Sequence, residues 1–244
     1  MQPKGIPMGK GESEQRRVPV CVPGFDELIE GGFKRHSVNL IAGGPGSGKT
    51  ILAIQFLVGG ILKFNENGLY ITFEEKKEKL YDDMIIFGWD LAKLEKEDKF
   101  IFLDYSPEQV KKMLIEGSGL IENMIEKYDI KRIVFDSITS FALLYEDELQ
   151  KKEAALALFE LINTWGCTAL LTSQEKFSLS EAISSTVEYE SDSIIFLYHT
   201  KVEGIRKRAV EILKMRGTNI PNKTYAMDIT TKGIRVNKNQ PVNI

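Results

Sequence analysis

The chain has few of the residues that build disulfide frameworks and metal centres. Among its 244 residues are two cysteines and two histidines. Cys21 and Cys167 lie far apart and outside any C-x-x-C pattern, and His36 and His199 are isolated in the same way. We therefore expect two reduced thiols, with Cys167 buried against a strand, and no metal site built from these four side chains.

Long apolar runs are missing as well. No uninterrupted apolar run approaches the roughly 20 residues needed to span a bilayer, and residues 1–17 are polar, without the apolar core of a signal peptide. We expect a cytoplasmic protein in which residues 1–17 form a flexible arm and residues 18–244 form one domain. The net charge of -3 argues against a surface that is basic overall, so any nucleic-acid contact would need a local patch.

A glycine-rich segment between two apolar runs carries the strongest functional signal. Residues 43–50 read Gly-Gly-Pro-Gly-Ser-Gly-Lys-Thr and fit the pattern G-x-x-x-x-G-K-[ST]. The backbone N–H groups of such a loop surround a phosphate at the start of a helix. Lys49 then reaches the β- and γ-phosphates, which makes it a catalytic candidate, and the Thr50 hydroxyl binds Mg²⁺. The predicted nucleotide-binding residues here are Gly43, Gly44, Pro45, Gly46, Ser47, Gly48, Lys49, Thr50 and Ile51. The alternative is an ordinary glycine-rich turn.

Apolar strands alternate with segments of helical period through most of the chain. Strands are predicted at 38–42, 69–73, 100–103, 132–135 and 168–171, and helices at 51–62, 76–87, 121–128 and 148–165. This alternation predicts an α/β fold with a mostly parallel central sheet and helices on both faces. From Ser193 onward, short strands at 194–198, 209–215, 225–229 and 234–236 predict a C-terminal antiparallel extension of the same sheet.

Acidic residues follow two of these predicted strands. Asp136 directly follows the strand 132–135, which is the Walker B arrangement. We expect this strand to adjoin strand 38–42, which leads into the P-loop of residues 43–50, so that the carboxylate holds Mg²⁺. The alternative is that an aspartate at the end of a strand marks the start of a helix. Glu74 and Glu75 end the second strand, where they serve either chemistry or the N-terminus of the helix beginning near Lys76.

Several longer motifs accompany these residues. They are Pro23-Gly24-Phe25-Asp26-Glu27 with Gly31-Gly32, Thr72-Phe73-Glu74-Glu75, Phe87-Gly88-Trp89-Asp90-Leu91, Phe135-Asp136-Ser137 and Glu211-Ile212-Leu213-Lys214-Met215-Arg216-Gly217-Thr218. Together with the P-loop, they show that residues 18–236 resemble the KaiC-type branch of the RecA superfamily of ATPases. The resemblance covers one RecA-like P-loop NTPase domain. The circadian-clock protein of that family has two in tandem, so clock function and autokinase activity are not implied.

The resemblance implies roles for residues on both sides of a subunit interface. Glu74 and Glu75 would polarise the water that attacks the γ-phosphate of ATP. Lys214, Arg216 and Thr218 would reach the γ-phosphate bound to the neighbouring subunit. It implies a homo-oligomeric ring, a hexamer, with ATP or ADP and Mg²⁺ at its interfaces. The alternative for the cations is an exposed edge strand with alternating charge.

The chain departs from the family pattern in two places that concern the base and ribose of the nucleotide. Ile220 stands where the family has a histidine, and Thr230-Thr231 stands where it has Thr-Asp. The contacts to the base and the ribose therefore stay open.

Two other functions compete with a regulatory or signalling ring ATPase. One is a DNA-binding recombinase or motor. In such a protein, the loop 175–189 and a basic cluster would line a pore for single-stranded DNA, the cluster being Lys201, Arg206, Lys207 and Arg208. That cluster lacks aromatic residues for base stacking, so nucleic acid is possible but not favoured. The other is a non-hydrolysing ATP-sensing scaffold, against which the two intact glutamates argue. The loop 175–189 is expected to face the axis of the ring.

Overall fold

The computed structural model describes residues 17–106, 108, 109, 112, 119–139, 145, 147–174 and 189–244. The arm predicted at residues 1–17 and the loop predicted at 175–189 lie, except for their last residues, outside these ranges. Within them, no helix is long and apolar enough to cross a membrane.

The elements alternate between strands and helices until the C-terminal strands. The strands are β1 Arg17–Val18, β2 Phe33–Lys34, β3 Val38–Gly43, β4 Asn67–Thr72, β5 Phe100–Asp104, β6 Ile130–Asp136, β7 Thr168–Ser173, β8 Ser193–Val202, β9 Ile205–Met215, β10 Thr224–Thr230 and β11 Gly233–Pro241. The helices are α1 Lys49–Phe64, α2 Lys77–Ile85, α3 Leu91–Lys96, α4 Gly119–Lys127 and α5 Glu148–Thr164, with a 3-10 turn at Asp26–Ile29.

Nine of the strands form one sheet in the order β11-β10-β9-β8-β3-β7-β6-β4-β5. The six strands from β8 to β5 are parallel, and β9, β10 and β11 continue the sheet in antiparallel fashion. The predicted mixed sheet is thus confirmed. One boundary differs, because β8, predicted as part of the antiparallel extension, pairs in parallel with β3 on its other side.

The position predicted for the strand that carries Asp136 is wrong. We expected β6 to adjoin the P-loop strand β3, but β7 lies between them and pairs with both. The reason is that the candidate neighbours β4, β6 and β7 are all mostly apolar and mostly buried. Composition therefore does not distinguish which of them takes the central position beside β3.

Helices cover both faces of the sheet. On one face, α1 packs on a core that includes Phe56 and Tyr70. On the other, α5 packs on a core that includes Phe135 and Phe159. Burial from both sides explains why the parallel strands are mostly apolar rather than alternating between apolar and polar residues. Cys167 is buried and forms no disulfide, as predicted, and its burial raises the pKa of the thiol to about 11.

A buried arginine ties β6 to α1. The Arg132 side chain has no exposed surface and lies 2.6 Å from the Glu66 carboxylate. It also donates hydrogen bonds to the carbonyl oxygens of Pro19 and Phe56, at 2.7 and 2.9 Å. Gly60 makes room for the guanidinium, because a Cβ at that position would lie 2.2 Å from Arg132 Nε.

Gly60→Ala is expected to lower the free energy of unfolding by about 2 kcal/mol, since crowding a packed interior costs about 1–3 kcal/mol and displaced partners of a buried ion add to it. This outweighs the gain of about 1 kcal/mol that alanine brings to a helix. In thermal melts the midpoint should fall by about 4–8 °C. Gly119→Ala is the matched control, because a Cβ on this helical glycine would meet no atom within 4 Å. Equal midpoints for the two variants would contradict the assigned role of Gly60.

Candidate nucleotide-binding site

The glycine-rich segment forms a loop between β3 and α1. Gly46 and Gly48 adopt φ values of 73° and 106°, in the left-handed region that favours glycine. At Gly43, a Cβ would lie 2.4 Å from the carbonyl oxygen of Leu197 on β8. The loop thus requires glycine at these three positions for its turn and for its close contact with the neighbouring strand.

Lys49 is the first residue of α1 and folds back over the loop. Its Nζ donates to the carbonyl oxygens of Gly43 and Gly44, at 2.7 and 3.1 Å. The hydroxyl of Ser47 is buried in the same loop and lacks a hydrogen-bond partner within the described part of the chain. The loop therefore holds a cation and an unsatisfied hydroxyl close to its backbone, as a site for an anionic group requires.

Asp136 reaches the P-loop although β6 is two strands away from β3. The Thr50 hydroxyl donates to Asp136 Oδ2 at 2.8 Å, and the Tyr70 hydroxyl donates to the same oxygen at 2.7 Å. The Thr172 hydroxyl donates to Oδ1. Burial, followed by the nearby Asp136 charge, raises the pKa of Tyr70 well above its usual value, so the phenol remains a donor.

Sequence reasoning missed Tyr70 and Thr172. Both carry hydroxyl groups within strands that are otherwise almost wholly apolar, and this is the signal that could have found them. A polar side chain in a strand covered on both faces needs a partner. Here the partner is the Asp136 carboxylate, and the hydroxyls of Tyr70 and Thr172 hold it toward Thr50.

The Thr50 and Asp136 side chains fit Mg²⁺. Both present oxygen atoms, which are the donors that Mg²⁺ prefers, and their direct contact shows that one small ion could be shared between them. Among the described residues there is no group of three or more histidine, cysteine, aspartate or glutamate side chains that could hold a metal. A site with only one carboxylate and one hydroxyl from the protein suits Mg²⁺, because this ion takes most of its other ligands from phosphates and water.

Glu74 and Glu75 lie at the same edge of the sheet as Asp136. The backbone N–H groups of both donate to the Thr72 hydroxyl, at 3.2 and 3.1 Å. Thr72 is paired with Asp136 in the register of β4 and β6. The Glu75 carboxylate lies 3.5 Å from Lys79 Nζ on α2 and is partly exposed. Both glutamates therefore follow a strand whose end is level with the carboxylate that contacts the P-loop.

Lys214, Arg216 and Thr218 lie toward the opposite edge of the sheet. Lys214 pairs with Ile194 near the start of β8, whereas the P-loop begins beside Leu197. Lys214 Nζ donates to the carbonyl oxygen of Ser191 at 2.7 Å. The three residues are not brought to the P-loop of their own chain.

Each of these residues has a local partner in the subunit. Arg216 donates to the carbonyl oxygen of Tyr189, and its side chain is 52% exposed. The Thr218 hydroxyl accepts a hydrogen bond from Arg17 at 2.9 Å. These contacts hold the segment at the surface.

Arg208 and His199 flank the P-loop and were not among the predicted site residues. Arg208 Nε donates to the carbonyl oxygen of Gly46 at 3.1 Å. A Cβ at Gly46 would lie 3.2 Å from His199 Nδ1. The pairing of β8 with β3 brings His199 to the loop, and the pairing of β9 with β8 brings Arg208 there, so no local pattern pointed to either residue.

Comparison with known proteins agrees with this geometry. The family model described as ATPase: KaiC matches residues 18–241. The circadian clock oscillator protein KaiC of Synechococcus elongatus is 34% identical over 227 residues, which are 90% of this chain and 44% of that protein. A UPF0273 protein of Methanocaldococcus jannaschii is 33% identical over 234 residues, which are 91% of this chain and 96% of that protein.

A solved structure shares the fold. The crystal structure of a KaiC-like protein from Pyrococcus horikoshii matches with a TM-score of 0.81 at 37% identity, covering 91% of this chain and 99% of that one. The chain thus spans less than half the length of the clock protein but nearly all of the two archaeal proteins. With the P-loop, Asp136 and the order of the strands in place, the chain belongs to the KaiC family of RecA-type ATPase domains.

Proposed function

We propose that this protein is a Mg²⁺-dependent ATPase that acts in the cytoplasm as a head-to-tail ring, a hexamer, with one ATP between each pair of subunits. The observation that carries the proposal is the convergence of Lys49, Thr50 and Asp136 at the carboxyl edge of the parallel sheet. In open α/β sheets this edge is where ligands bind. A relative named as a circadian clock oscillator supports a regulatory or signalling role.

Binding of ATP requires donors and a cation at its phosphates. The loop 43–50 supplies backbone N–H groups and the N-terminus of α1. Lys49 would leave the two carbonyl oxygens that it now contacts and pair with the β- and γ-phosphates. Thr50 and Asp136 would hold Mg²⁺, which neutralises charge that develops on the phosphates.

Hydrolysis requires an oriented water and a group that accepts its proton. Glu74 and Glu75 suit this task because they end the strand that is level with Asp136 and because at least Glu75 is reachable from solvent. A carboxylate placed beside the γ-phosphate orients the water and takes its proton as the phosphoryl group leaves.

The ring is supported by the position of Lys214 and Arg216. Lys214 pairs with Ile194, which is three positions along β8 from Leu197, the residue beside the start of the P-loop. At about 3.3 Å per residue, this amounts to about 10 Å. Because these cations lie toward the other edge of the sheet from their own P-loop and contact the backbone there, a neighbouring subunit in a head-to-tail ring is the natural recipient.

Lys49→Ala is expected to abolish ATP binding or to weaken it at least 100-fold, because the phosphates lose the cation of the loop. Binding of a fluorescent ATP analogue, titrated with and without Mg²⁺, measures this. Lys63→Ala is the matched control, since it removes an exposed lysine from the other end of the same helix. Equal affinity of the Lys49→Ala variant and the parent would overturn the proposal.

A further inference from the structure

The β8–β9 hairpin extends beyond the sheet. β3 pairs with β8 only as far as Leu197, and β10 pairs with β9 only from Ala209 onward. Residues 198–209 therefore form a two-stranded ribbon, closed by the turn Glu203-Gly204, whose φ values of 50° and 85° suit a tight hairpin. Beyond these pairings β8 continues for five residues and β9 for four, a length of about 13–17 Å. We call residues 198–209 the ribbon.

The ribbon carries one pair of like charges that oppose each other. Lys201 lies directly opposite Arg206, whereas Arg208 lies opposite His199 and Lys207 lies opposite Thr200. Side chains that are directly opposite share a face of the ribbon, and the like charges of Lys201 and Arg206 destabilise it. Lys207 adds a further cation on the other face, and Glu203 is the sole acidic residue of the ribbon. This arrangement weakens a hairpin that is already marginal by itself, which favours a role in binding an anion.

These cations lack acidic partners in the described part of the chain. Elsewhere in that part, ion pairs such as Arg235 with Asp228 and Lys238 with Glu27 are formed. None of the described carboxylates lies within 4.0 Å of Lys201, Arg206 or Lys207. Arg206 and Lys207 line an open cleft of about 340 Å³ between the diverging hairpins, together with Arg208 and with residues of β10 that include Asp228. Asp228 forms its ion pair with Arg235, so the charges of Arg206 and Lys207 are not neutralised by a described carboxylate.

The tip of the ribbon is apolar. Ile205 follows the turn, and 64% of its surface is exposed. It is flanked by Arg206 and by Lys201, which pairs with Arg206. The ribbon has no aromatic residue beyond Tyr198 at its base, so stacking on unpaired bases has no platform there.

We propose that the ribbon enters a groove of duplex DNA. A two-stranded ribbon fits the major groove, which is about 12 Å wide. Cations on both faces of the ribbon meet the phosphates on either side of the groove, and an exposed apolar side chain at the tip meets the base edges or the base steps. A linear stripe of cations suits a linear polyanion better than a compact one. The contact is independent of sequence and lies beside the P-loop, to which Arg208 connects it.

The test measures anisotropy of a labelled 20-base-pair duplex titrated with the full-length protein at several salt concentrations. The variant Lys201→Gln/Arg206→Gln/Lys207→Gln should bind at least 10-fold more weakly, and the slope of log K against log salt should become less negative by about 3, at about 0.9 per phosphate contact. Ile205→Ser should weaken binding without changing that slope.

The matched control is Lys93→Gln/Lys96→Gln/Lys223→Gln, which removes three exposed cations elsewhere and changes the net charge equally. It should bind the duplex within 3-fold of the parent. All variants should bind ATP as the parent does, which shows that they are folded. Failure of the parent to bind duplex, or an equal loss in the control, overturns the proposal. Single-stranded DNA that binds as tightly, or polyglutamate that competes as well as unlabelled duplex, overturns it too.

Discussion

An Arg216→Ala variant is expected to hydrolyse ATP about 10³-fold more slowly than the parent, or slower still, because removal of an arginine finger has effects of this size. The guanidinium would stabilise charge that develops on the γ-phosphate of the neighbouring subunit. Binding of ATP to the P-loop should change far less, since the donors of residues 43–50 and Lys49 are untouched. Steady-state phosphate release and equilibrium binding, measured on the same preparation, separate the two effects.

A mixture of two inactive proteins tests whether Arg216 acts across the interface. In mixed rings of Lys49→Ala and Arg216→Ala subunits, some interfaces combine an intact P-loop with an intact finger. Activity should reappear on mixing, and ATP should favour assembly because it bridges two subunits. Light scattering verifies that mixed rings form.

The matched control is Arg235→Ala, which removes another exposed arginine that is paired with an aspartate on the neighbouring strand. It should retain the turnover of the parent. If the mixture stays inactive although mixed rings are present, Arg216 acts within its own subunit or only in the structure. Because Arg216 contacts Tyr189 and Asp192, thermal melts of the variant would show a structural role directly.

The double variant Glu74→Gln/Glu75→Gln is expected to bind ATP like the parent and to turn it over about 10²–10⁴-fold more slowly, which is the range for loss of a general base. Glutamine keeps the shape of the side chain and its ability to accept one hydrogen bond, but it does not take a proton at neutral pH. Single-turnover kinetics in excess protein isolate the chemical step from product release.

Glu78→Gln is the control for this pair, because it removes a nearby exposed carboxylate from the first turn of α2. Its turnover should match that of the parent. The single variants identify which glutamate acts, since Glu75 also pairs with Lys79. A parental rate in the double variant would remove both residues from the mechanism and favour a role at the N-terminus of α2 alone.

Much of the site followed from short stretches of sequence because its parts are local. The turn at 43–50, the start of α1 at Lys49 and the strand that ends at Asp136 each depend on consecutive residues. Up to β7, the ends of the predicted helices and strands differ from those of the structure by no more than two residues, whereas β11 runs five residues beyond its predicted end at 236. The short helix α3 was missed, since its six residues are too few to show a period; Asp90 caps it by accepting a hydrogen bond from the Lys93 N–H.

The lengths of the two strands that form the ribbon were underestimated for a related reason. We predicted strands at 194–198 and 209–215, but β8 and β9 run on to Val202 and back from Ile205. Apolar alternation identifies strands that bury a face, and the ribbon buries neither. Its cations were consequently interpreted only as a basic cluster, whereas cross-strand pairing sets Lys201 directly opposite Arg206.

The sequence by itself determined the α/β class, the P-loop, the acidic residues at the strand ends and the family, because each rests on residue types at fixed local spacing. Only the tertiary structure decided that β7 lies between β3 and β6, that Tyr70 and Thr172 hold Asp136 toward Thr50, and that Arg132 fits against Gly60. These features join segments that are far apart in the chain. Which of several equally apolar strands meet, and which buried polar groups find partners, depends on packing and hydrogen-bond satisfaction across the whole core.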